Sequence, residues 1–165
     1  MANGIDIGYR YKLPKPVISF IPQHHGTGLM SYFYSKAREE AIAASGAPAG
    51  SHLAEAAADA VDEARFRHRG PKPQSREGAI LMLSDSVEAS VRSLGSQDEA
   101  AIRAMVSRII AERLDDGQFD ECDLTLRDLD RIREAFIAQL LGMYHRRIEY
   151  PQNKIVEIES RRAAS

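Results

Sequence analysis

Apolar residues return every third or fourth position through three long stretches of this chain, and that period constrains its fold more than any other feature. Ile80, Leu83, Val87 and Val91 make one stripe. Ile102, Met105, Val106, Ile109, Ile110 and Leu114 make a second, and Leu126, Leu129, Ile132, Phe136, Ile137, Leu140 and Met143 a third. A helix with such a stripe must bury it against another element. Strand-like alternation is nearly absent, and no Asn-Gly or Asp-Gly turn separates two apolar runs, so the chain reads as all-α. Of its 165 residues 44% are hydrophobic, enough for the core of one domain.

Local signals place the helix ends. Ser75 is an N-cap for the first long helix. Ser96, with Glu99 three residues on, has the pattern of a capping box for the second, and Thr125 with Asp128 does the same for the third. Asp115-Asp116-Gly117-Gln118 stops the second helix and Pro151 the third. Upstream, residues 4–12 read as a short helix end, Leu13-Pro14-Lys15-Pro16 breaks it, and Val17 to Gln23 forms a short apolar helix. Another helix runs from Leu29 to about Ala44. Residues 45–62 are a linker and an Ala-rich stretch, expected to be mobile or partly helical. Arg69-Gly70-Pro71-Lys72-Pro73-Gln74 is a stiff connector, and residues 152–165 a charged tail.

Several function classes fall away. A net charge of -2 gives no global basic field for a nucleic-acid polymer. The lone Cys122 excludes an intrachain disulfide and fits a reducing compartment. No apolar run approaches the ~18–20 residues of a membrane span, and the first residues lack the features of a signal peptide. There is no P-loop, dinucleotide fingerprint, zinc ribbon or Gly-x-Ser-x-Gly elbow.

The residues that can carry chemistry are few. His24-His25 stands at a helix–loop junction beside Gly26 and Gly28, and neutral imidazole is the commonest nitrogen ligand for transition metals. Solvated loops carry the same dipeptide, so alone it is a weak signal. Asp85 lies in a strongly apolar helix but off its stripe. It is either a carboxylate that needs a partner such as a metal or an exposed acid beside Ser84, Ser86 and Glu88. Arg65, Arg67, Arg69, Lys72 and Arg76 gather around the connector, where guanidinium suits phosphate and a solvated basic loop is the plainer reading. Tyr32 and Tyr34 can stack on a base or pack in the core. His52 and His68 read as surface residues, His145 as a cation at a helix C-terminus, and Cys122 as a structural thiol.

Several runs resemble one known family. They are Tyr11-Lys-Leu-Pro-Lys-Pro, Ile18-Ser-Phe-Ile-Pro-Gln-His-His-Gly-Thr, Gly70-Pro-Lys-Pro-Gln, Ile80-Leu-Met-Leu-Ser-Asp-Ser-Val-Glu-Ala, Asp116-Gly-Gln-Phe-Asp-Glu-Cys-Asp-Leu-Thr, and Ala135-Phe with Tyr144-His-Arg-Arg-Ile-Glu-Tyr-Pro. Together they resemble the intracellular HD hydrolase domain of bacterial seven-transmembrane receptors of the cyclic-di-AMP phosphodiesterase type. The resemblance implies an HD-domain-like helical bundle over residues 1–151, N-terminally truncated, with residues 42–66 as an Ala-rich insertion or loop. It implies a two-metal site for Mn or Fe, with His24, His25 and Asp85 as metal ligands. Tyr32, Lys72 and Arg76 are then the expected substrate contacts, and a cyclic dinucleotide the expected partner. The family's early His, its His-Asp doublet and a further His would lie before Met1, and no His-Asp dipeptide occurs here. The chain is therefore expected to bind metal weakly, to have little or no activity alone, and to self-associate through apolar surface left uncovered. It is expected in the cytoplasm, tied to a membrane only through a region it lacks. The alternative is a non-catalytic helical binding or regulatory module derived from such a domain. His68-Arg69 departs from the family's usual Tyr-Pro before Gly70.

Overall fold

Each of the three apolar stripes becomes a long helix, and the middle one packs against both of the others. The computed structural model describes residues 2–144. Its elements are α1 (Ala2–Arg10), α2 (Lys15–Gln23), α3 (Ser31–Ser45), α4 (His52–Asp59), a 3-10 turn (Glu63–Phe66), α5 (Arg76–Arg92), α6 (Glu99–Asp115) and α7 (Leu126–Tyr144). The described residues are thus all-helical, apart from one isolated antiparallel bridge between Leu29 and Arg67. None of these helices is long and apolar enough to cross a membrane. His145, Pro151 and the tail 152–165 lie outside the described residues.

The core is the seam where α5, α6 and α7 meet. Met82, Leu83, Val87 and Val91 come from α5, Ile102, Val106, Ile109 and Ile110 from α6, and Leu129, Ile137 and Leu140 from α7, with Phe119 closing it from the α6–α7 loop. Full burial of one such aliphatic side chain stabilises the fold by about 1.5–3 kcal/mol. The phase of α5 differs from the expected stripe. Its buried arc runs through Ala79, Met82 and Leu83, so Ile80 and Leu81 are left 40% and 41% exposed. Leu126 and Met143, at the two ends of α7, are also exposed.

Side-chain caps fix where these helices begin. Ser75 Oγ accepts from Gly78 N at 3.2 Å. Thr125 and Asp128 bond reciprocally, Asp128 N to Thr125 Oγ1 and Thr125 N to Asp128 Oδ2, both at 3.1 Å. The cap of α6 is Asp98, whose Oδ1 accepts from Ala101 N at 2.8 Å, and not Ser96, which instead donates to Asp98. An ionised carboxylate is the stronger acceptor at a helix N-terminus.

Two hairpins flank this bundle. α1 packs on α2, and α2 lies on α5. α3 packs on α4, burying Ala54 and Ala58 to 1% and 2% exposure. The Ala-rich stretch is therefore partly helical, with its own Ser51 cap. Alanine at its contact positions permits close approach to α3, which no apolar-stripe count would register.

Candidate metal centre

The turn after α2 carries the histidine pair, and the chain holds it from two sides. Gly26 sits at φ +53, a left-handed conformation open to glycine at little cost. A Cβ there would stand 2.3 Å from Gln118 Oε1 and 2.7 Å from Met82 Cε, so a side chain is excluded by contact as well. Gln118 is wholly buried. Its Oε1 accepts from Thr27 N at 3.0 Å, and its Nε2 donates to Thr27 Oγ1 at 3.0 Å and Asp116 Oδ2 at 2.9 Å. Arg67 completes the brace, with Nη2 donating to Asp116 Oδ1 at 2.8 Å, Nη1 to Thr27 O at 3.0 Å and Nε to Glu63 Oε1 at 2.9 Å. Burial pushes the Asp116 carboxyl up, but the bonds and charge of Arg67 outweigh it and leave it below the usual carboxylate range.

The second support is backbone. Met30 N donates to Phe66 O at 2.8 Å and His68 N to Gly28 O at 3.0 Å, around the Leu29–Arg67 bridge. Gly70 then passes so close to the end of α2 that an added Cβ would overlap Pro22 O. Buried Gln23 holds the connector in place, accepting from Gln74 N at 3.0 Å.

These contacts bring three imidazoles together. The His24 and His25 ring centres are 4.0 Å apart, tilted by 42°, and His68 stacks on His25 at 4.5 Å and 20°. His68 was expected at the surface; the bridge to the histidine turn draws it into the cluster. Burial, then the neighbouring charges of His24 and His68, lower the pKa of His25, against an opposing pull from Asp85. His68 is lowered by burial and then by His24 and Arg113. Both rings are thereby biased toward the neutral form that ligates metals. His24 Nδ1 lies 2.7 Å from Ile21 O. A carbonyl can only accept, so Nδ1 carries the proton and Nε2 presents its lone pair, the arrangement of a ligating histidine.

Asp85 is exposed on α5, so it is not a buried acid in need of a partner, yet its charge reaches His25. That electrostatic effect is what ties Asp85 to the histidine turn. Among the described residues, no three His, Cys, Asp or Glu side chains converge as a metal-holding set. Beside His24, Val17, Phe20, Ile21 and Leu81 line an open apolar pocket of about 230 Å³.

The expected substrate contacts lie elsewhere. Lys72 Nζ pairs with Asp120 Oδ2 at 3.0 Å, and Arg76 Nη2 with Asp123 Oδ2 at 3.3 Å, so both tie the connector to the α6–α7 loop. Tyr32 is 74% exposed on α3, its ring edge-on to Phe33. Among the described residues, no hydrogen bond or ring contact joins these three to the histidines. His52 is exposed, and Cys122 is half-buried with its thiol pushed up by burial, then by Asp123 and Asp120, in keeping with a structural role.

No protein-family model matches the chain. It is 42% identical over 150 residues to the cyclic-di-AMP phosphodiesterase PgpH of Bacillus subtilis, a match covering 91% of this chain but 19% of that protein, so the chain spans about a fifth of its relative's length. The crystal structure of the L. monocytogenes phosphodiesterase PgpH HD domain matches with a TM-score of 0.71 and 41% identity, over 87% of this chain and 59% of that one. The same HD domain in complex with cyclic-di-AMP gives 0.74 and 42%, over 90% and 62%. In sequence and in fold, the chain is homologous to the HD domain of the PgpH proteins.

Proposed function

We propose that this chain carries part of the metal site of a cyclic-di-AMP phosphodiesterase. His24, His25 and Asp85 hold divalent Mn or Fe, and the remaining ligands come from the part of the HD fold that the chain does not match. The observation that supports this is the histidine turn itself: the neutral-biased His25 ring beside His24, whose Nδ1 lies 2.7 Å from Ile21 O, with an exposed carboxylate on α5. When bound, the metals would polarise a phosphodiester and make a water nucleophilic near neutral pH. The chain's own part is to present the ligands. Gln118 and Arg67 fix the turn.

Alone, the chain binds metal weakly and turns over little or no cyclic-di-AMP, because an incomplete donor set loses affinity. Exposed Ile7, Val17, Ile80 and Leu81 support self-association. The half-buried thiol of Cys122 fits the cytoplasm. The test is turnover by the purified 165-residue chain with Mn(II). Little or none is expected, and robust turnover removed by His24→Ala would contradict the incompleteness.

A second reading is a helical binding or regulatory module without catalysis. It is favoured by the absence, among the described residues, of a converged three-donor set. The DNA upstream separates the two: an in-frame His-Asp doublet followed by another His supports the enzyme, and a stop codon or unrelated sequence supports the module.

A further inference from the structure

α6 brings a cation to the histidine cluster that the ligand set leaves unused. Arg113 lies in the last turns of α6 and is half-buried. Its Nη2 donates to Ser86 Oγ at 3.3 Å, next to Asp85 on α5. Its Nη1 stands 3.9 Å from where a Cβ on Gly28 would be, beside the histidine turn. The guanidinium thus spans the gap between the two segments that carry the candidate ligands.

Elsewhere the chain pairs its half-buried guanidinium groups: Arg67 with Asp116 and Glu63, and Arg133 with Asp130 and Glu134. Arg113 forms no ion pair among the described residues, and Asp116, whose pKa it helps to lower, is already held bidentate by Arg67. A half-buried cation among imidazoles, with donors to spare, is an anion site in waiting. Its planar fork suits the oxygens of a phosphate.

We propose that Arg113, held between Ser86 and the Gly28 turn, binds a phosphate oxygen of the substrate next to the His24–His25 pair. Lys72 and Arg76 are instead paired with Asp120 and Asp123. The assignment rests on the phosphodiesterase reading, and it names the residue that recognises the anion.

The experiment compares Arg113→Met and Arg113→Lys with the wild-type 165-residue chain, titrated by NMR with inorganic phosphate and with cyclic-di-AMP. Mn(II) affinity and thermal stability are followed alongside. Arg113→Met should weaken both anions about tenfold or more, the scale of a charge-assisted hydrogen bond, while Arg113→Lys keeps part of the affinity. Mn(II) affinity and melting temperature should stay near wild type in the Met variant. Unchanged anion affinity in Arg113→Met overturns the proposal, as does a wild-type chain that binds neither anion. Joint loss of Mn(II) affinity, melting temperature and anion binding in both variants and in Ser86→Ala also overturns it, since Arg113 would then be a strut between α5 and α6. A wild type that takes phosphate but not cyclic-di-AMP, with the phosphate lost in Arg113→Met, keeps Arg113 as the anion site and sinks the substrate reading instead.

Discussion

Gly26→Ala tests whether the histidine turn is held as tightly as the packing implies. Two costs add. An L-residue at φ +53 pays about 1–2 kcal/mol in backbone energy. The new methyl would also sit 2.3 Å from Gln118 Oε1 and 2.7 Å from Met82 Cε, well inside contact distance. Gln118 has no room to move without losing its bond from Thr27 N, and a buried amide left unpaired costs about 1–3 kcal/mol. Overpacking against Met82 is of similar size, about 1–3 kcal/mol. The sum is roughly 3–8 kcal/mol, a large share of the ~5–15 kcal/mol a domain has. At about 2–4 °C per kcal/mol for a chain of this size, the melting temperature should fall by at least ~6 °C. Gly46→Ala is the matched control. It sits at φ +64 with nothing within 4 Å of an added Cβ, so only the backbone cost of about 1–2 kcal/mol applies. Urea and thermal unfolding of both variants give the difference. If Gly26→Ala is no more destabilising than Gly46→Ala, the clamp by Gln118 and Met82 is not the constraint described.

Other outcomes follow from the same contacts. Leu83→Ala, at a position with 0% exposure, should cost about 2–5 kcal/mol. Ile80→Ala, on the uncovered face of α5, should cost well under half as much by urea unfolding. Thr125→Ala removes the capping box of α7 and should cost about 1 kcal/mol. In the metal-free chain, the folded-state pKa values of His25 and His68 lie below the ordinary imidazole value of 6.5, so the unfolded chain binds protons first. Their contribution to stability is therefore complete above pH 6.5 and is lost as the pH falls below it. Stability measured in chelator should decline over that window, and His68→Phe, which keeps the stacking, should flatten the decline.

The helices were legible because their signals are local. Ser75, Thr125 and the three apolar stripes lie within a few residues of the structure they specify, and the caps at Ser75 and Thr125 bond as their spacing implies. The errors are also instructive. With Ser96 and Asp98 two residues apart, either could cap α6, and only the bond to Ala101 N decides for Asp98. Ile80 looks buried on a stripe drawn through large side chains, but the close-packed side of α5 passes through Ala79 and Gly78, whose burial brings neighbours nearer without adding hydrophobic bulk.

Of the candidate site, the histidine pair and Asp85 could be named from the residues, because the dipeptide, its glycines and the family resemblance all point there. His68, Gln118 and Arg113 could not. Each acts through a partner distant in sequence: Gln118 meets Thr27 across 91 residues, and Arg113 meets Ser86 across 27. Nothing periodic marks such pairs. Lys72 and Arg76 stand out by their charge and by the family resemblance, and nothing local in the sequence announces their pairing with Asp120 and Asp123.

The central claim is that His24, His25 and Asp85 share one metal site, and paramagnetic broadening by Mn(II) reads this directly. In the isotopically labelled chain, substoichiometric Mn(II) should broaden the signals of the 24–28 turn and of Asp85 and its neighbours together, leaving exposed His52 sharp. Broadening of one segment without the other, or of His52 first, would contradict a shared ion.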